Sequence, residues 1–138
     1  MKVSAFFAMA ALLLFWPFGR STTKTFNLMP GAAVPAASGT VKVSNSKNNT
    51  GNLNVDIKVK DLALPGSLHP PANDYIVWIE PHGEQPLKQG AIGIDGKLQG
   101  ELKTETTAKN FKVLITAEPN ETATSPSNKT VLQGHVTD

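Results

Sequence analysis

The sequence predicts an all-β sandwich of seven to eight short antiparallel strands behind an N-terminal signal segment. Apolar residues recur at every second position in several stretches, which is the period of a strand with one buried face. Clusters of Gly, Pro, Asn and Asp separate these stretches at short, regular intervals, as the turns of a sandwich require. No stretch shows apolar residues at the spacing of an amphipathic helix.

The chain opens with Lys2, an apolar run from Val3 to Phe18, and Arg20. The run is shorter than the ~20 residues of a membrane-spanning helix and suits the core of a signal peptide. Gly19 and Ser21 are the best small pair for cleavage, but Arg20 lies between them. Residues 1–21 are therefore expected to act as a signal peptide or as an uncleaved anchor. The expected location is exported, periplasmic or extracellular, with membrane contact only through that segment.

Residues 22–38 are expected to supply a short edge strand, Phe26–Met29, stopped by Pro30-Gly31, and then a linker. The sandwich is expected over 39–138. Val41 and Val43 begin the alternation, and Asn45–Asn52 has the composition of a hairpin turn. Leu53, Val55, Ile57 and Val59 then face one way while Asn54, Asp56, Lys58 and Lys60 face the other. Leu62–Ala72 is a proline-interrupted loop, and the apolar run Tyr75–Ile79 predicts a central strand. Asp95-Gly96, between Ala91–Ile94 and Lys97–Leu102, predicts a hairpin. Phe111, Val113, Ile115 and Ala117 alternate with Lys112, Thr116 and Glu118, and Val131–Val136 closes the domain. This patterning fits an immunoglobulin-like or cupredoxin-like sandwich.

Composition narrows the chemistry. The chain has 138 residues, 40% of them hydrophobic, and no cysteine. Lipidation, thiolate zinc, type 1 copper, thiol redox and iron–sulfur sites are excluded. With Lys2 and Arg20 set aside, the remaining lysines equal the 11 acidic residues in number. A neutral domain without a basic tract argues against nucleic-acid binding.

No catalytic residues and no cofactor are expected. There is no Gly-x-Ser-x-Gly elbow, and the carboxylate pairs Glu80/Glu84 and Asp56/Asp61 lack a cleft of the kind glycosidases need. His69, His82 and His135 lie in loops or at a strand end without metal-motif spacing. They support the alternative expectation of a small periplasmic metal- or ligand-binding protein. Three Asn-x-Thr triplets, at Asn48, Asn120 and Asn128, read as turn residues and receive no function.

Period two places Tyr75, Val77 and Ile79 on one face of their strand and Ile76, Trp78 and Glu80 on the other. The first set is expected to face the core. Ile76 and Trp78, joined by Leu114 from the neighbouring strand, then form a candidate partner-binding patch. Two other arrangements are open: the Leu62–Leu68 loop covers the patch, or Trp78 itself is the core tryptophan. A second docking route is strand pairing along Thr25–Met29.

Three stretches carry a resemblance: Asp74-Tyr75-Ile76-Val77-Trp78-Ile79, Gly90-Ala91-Ile92-Gly93-Ile94-Asp95-Gly96, and Phe111 to Pro119 with its Thr-Ala-Glu-Pro end. Leu62 to Gly134 resembles the extracytoplasmic C-terminal domain of anti-sigma-K-type factors and of small bacterial exported proteins built on it. The resemblance implies an envelope-side interaction or sensing module. Such factors also carry a cytoplasmic sigma-binding region and a transmembrane helix. Only about 20 residues precede the sandwich here, so sigma-factor inhibition is not expected. The expected function is a non-catalytic exported module that binds a protein partner or self-associates.

Overall fold

The computed structural model describes residues 22–137; the expected signal segment at 1–21 lies outside the described residues. Eight strands make the fold: β1 Lys24–Pro30, β2 Ser38–Asn45, β3 Leu53–Lys60, β4 Asp74–Pro81, β5 Leu87–Ile92, β6 Gly100–Thr106, β7 Phe111–Glu118 and β8 Thr130–Val136. All pairings are antiparallel. The spatial order is β5-β4-β7-β8-β1-β2-β3-β6. The sheet curls until its outer strands nearly meet, and the Thr104 hydroxyl of β6 donates to Gln89 Oε1 of β5 at 2.6 Å. The predicted all-β class is correct, and β4, with its apolar run, is an interior strand flanked by β5 and β7.

The alternating residues fill one interior. Val41, Val55, Ile57, Val59, Tyr75, Val77, Ile79, Val113, Ile115 and Leu132 are each no more than 1% exposed. Each such side chain contributes about 1.5–3 kcal/mol by leaving water. Val34 and Ala37 from one connection, with Leu62, Leu68 and Ala72 from another, join the same core.

Two local expectations need correction. The first is the edge strand, because β1 lies inside the spatial order. Lys24–Leu28 pairs with β2, whereas Met29 and Pro30 pair with Gln133 and Leu132 of β8. Pro30 lacks an N–H, and the next bond is supplied by the Gly31 N–H to Val131 O at 2.8 Å. A proline that looks like a stop thus marks where the strand changes partners. Along Thr25–Leu28 one backbone edge is paired with β2, and β8 takes up the strand only at Met29 and Pro30.

The second is the Asp95-Gly96 hairpin. Asp95 does close a tight turn: its Oδ1 accepts from the Lys97 and Gln99 amides at 2.8 and 3.0 Å. The flanking strands then part, β5 pairing with β4 and β6 with β3. Local turn chemistry holds, but the chain uses it to cross between faces of the sandwich.

Tyr75 ties the Leu62–Ala72 connection to the core. Its hydroxyl donates to Ala63 O at 2.5 Å, and burial pushes its pKa from 10.0 up to about 12. The folded state therefore favours the neutral phenol. That stability is fully present below pH 10 and is lost as pH rises from 10 towards 12, by about 1–3 kcal/mol. Urea midpoints across this window should fall more steeply for the native protein than for Tyr75→Phe. Parallel slopes would show that the phenol is not buried as described.

Candidate functional site

Ile76, Trp78 and Leu114 do come together. Trp78 is the register partner of Leu114 across β4 and β7, and the three form a cluster separate from the main core. Their face assignment is as period two predicts, but they are not an exposed patch. Ile76 and Trp78 are 0% exposed and Leu114 is 8% exposed. The cover comes from the β7–β8 connection, residues 119–129, through Ala123, and not from Leu62–Leu68.

A polar chain fastens this cover. The Trp78 indole N–H donates to Thr116 Oγ1 at 2.8 Å. The Thr116 hydroxyl donates to Glu118 Oε2 at 2.6 Å, and the Ser127 amide donates to the same oxygen at 2.9 Å. Thr116 and Glu118 are 0% and 3% exposed, although alternation alone reads both as wet. The missed signal is compositional: they share a face with Trp78 and Leu114, and a Ser/Thr-rich connection follows them at once.

Strand directions sort the remaining groups. Connections 31–37, 61–73, 93–99 and 119–129 gather at one end of the sandwich. The turns 46–52, 82–86 and 107–110 gather at the other, with the start of β1 and the end of β8. His69 belongs to the long-loop end, while His82 and His135 belong to the opposite end. Strand β4 alone separates these ends by roughly 25 Å. The three histidines therefore do not share a site. His82 and His135 line one open hollow of about 370 Å³ with Glu80, Glu84 and Lys112. There Lys112 Nζ lies 3.2 Å from Glu80 Oε2. Among the described residues, no three His, Cys, Asp or Glu side chains are grouped to hold a metal.

The long-loop end carries a feature that alternation does not reveal. Asp61 and Leu98 both adopt left-handed backbone conformations, with φ of 53° and 61°. For a leucine this costs about 1–2 kcal/mol. The Leu62 amide donates to Leu98 O at 3.1 Å, and Leu62 is fully buried, so the conformation is held from below. The Leu98 side chain is left 37% exposed, and Leu64 in the adjoining connection is 49% exposed.

Comparison with known proteins brings no match to a family model and none to a curated protein.

Proposed function

We propose that this chain is a non-catalytic, exported β-sandwich module whose long-loop end binds a protein partner or a like domain. The observation that carries this reading is Leu98. A leucine held in a strained conformation while more than a third of it stays exposed suits a binding surface, where partly exposed apolar anchors are used. Leu64 extends the anchor, and the sandwich supplies the rigid base on which binding loops commonly stand. The start of β1 lies at the opposite end, so a free form and an N-terminally tethered form both present these loops outward. Export is supported by the pattern of residues 1–21. An envelope-side interaction or sensing role agrees with the resemblance over 62–134.

Photo-crosslinking side chains placed at positions 64 and 98 test this in the producing cells, with position 42 on the outer face of β2 as reference. Discrete adducts from 64 and 98, absent from 42, are expected. No adduct from either loop position, or the same adducts from all three, would rule out the long-loop end.

A further inference from the structure

The two hydrophobic clusters are closed in different ways. The main core is filled mostly from paired strands, with Val34, Ala37, Leu62, Leu68 and Ala72 added from two connections. The Ile76–Trp78–Leu114 cluster is covered by residues 119–129, which contain no strand and read Pro-Asn-Glu-Thr-Ala-Thr-Ser-Pro-Ser-Asn-Lys. The hydrophobic side chain packed against it is Ala123, a single methyl group. Most of the segment is solvent-exposed.

Its other attachments are polar. The Ser127 amide reaches Glu118 and its hydroxyl reaches Ala117 O, the Lys88 ammonium reaches the Glu121 carbonyl, and the Asn73 side chain reaches Pro119 O. The β7–β8 ladder runs from Phe111↔Val136 to Thr116↔Thr130, and the Ala117 amide adds a bond to Lys129 O at 2.9 Å. These bonds stay in place when the residues between Pro119 and Lys129 lift, with those two residues as the fixed ends of the segment.

We propose that residues 119–129 form a latch that opens as a unit while the eight-stranded sandwich stays folded, uncovering Ile76, Trp78 and Leu114. In the closed state the chain's own segment occupies this apolar seat. Glu118 is the positioning residue: it stands beside Thr116 under the indole and holds Ser127 at the far end of the latch. Segments with few apolar contacts and no ladder bonds open at a fraction of the global unfolding free energy. The proposal rests on the second cluster alone and is independent of the binding role given to Leu64 and Leu98.

The decisive readout is hydrogen exchange of the Trp78 indole N–H in the full chain, followed by NMR alongside the Ile57 amide in β3. In the native protein the indole is expected to exchange faster than the Ile57 amide. Glu118→Ala leaves the Thr116 hydroxyl and the Ser127 amide without their acceptor and should speed indole exchange by roughly tenfold, with Ile57 unchanged. Glu118→Gln keeps an acceptor oxygen and should restore most of the protection. Ala123→Gly removes the covering methyl and should act in the same direction as Glu118→Ala, which provides a test if the latter does not fold. Indole and Ile57 exchanging at one common rate in the native protein would overturn the proposal. So would indole exchange that responds to neither Glu118→Ala nor Ala123→Gly.

Discussion

Leu132→Ala is expected to lower the unfolding free energy by about 2–5 kcal/mol. Leu132 is fully buried and lies where β8 meets two strands, opposite Ile115 of β7 and Pro30 of β1. The cost of a truncated leucine depends on how far its surroundings can collapse into the space. Here β8 is paired on both sides of Leu132, which limits collapse into the space. Urea denaturation followed by circular dichroism measures it. A loss below about 1 kcal/mol, as for a surface change, would mean that β8 does not pack as described.

Gly134→Ala is the second large effect. A Cβ at this position would lie 2.6 Å from the Asn27 carbonyl oxygen and 2.9 Å from Leu28 Cδ2. The carbonyl is backbone and cannot turn aside, so β1 and β8 would have to separate where β1 changes partners. Overpacking of this kind costs about 1–3 kcal/mol. Gly66→Ala is the matched reference, because its Cβ meets nothing within 4 Å, and it should stay within about 0.5 kcal/mol of the native protein. Equal stabilities for the two variants would contradict the β1–β8 junction.

Much of the sandwich was legible because its strands are wet on one face, and alternation then identifies strand and inward face together. Leu53–Val59 and Tyr75–Ile79 are the clearest cases. The pattern is silent about partners. Pro30-Gly31 has the same composition whether a strand ends there or passes to a second neighbour, and Asp95-Gly96 turns the chain whether or not the strands beyond it pair.

The candidate site was legible only in part. Ile76, Trp78 and Leu114 could be placed on one face, but their cover comes from a connection rich in Ser, Thr and Asn, which carries no apolar pattern to announce it. Thr116 and Glu118 looked wet for the same reason. Leu98 was hidden differently: a positive φ at leucine arises from the loop closed around Asp95 and from the bond between Leu62 and Leu98, neither of which periodicity expresses.

The account turns on Trp78 being covered, because that moves the binding surface away from the β4–β7 face and makes residues 119–129 a latch. The fluorescence of Trp78 in a Trp16→Phe background tests this most directly, since these are the two tryptophans of the chain. The account predicts blue-shifted emission, weakly quenched by iodide, that moves to the red in Ala123→Gly. Native emission at the position of a water-exposed indole, with full quenching, would contradict it.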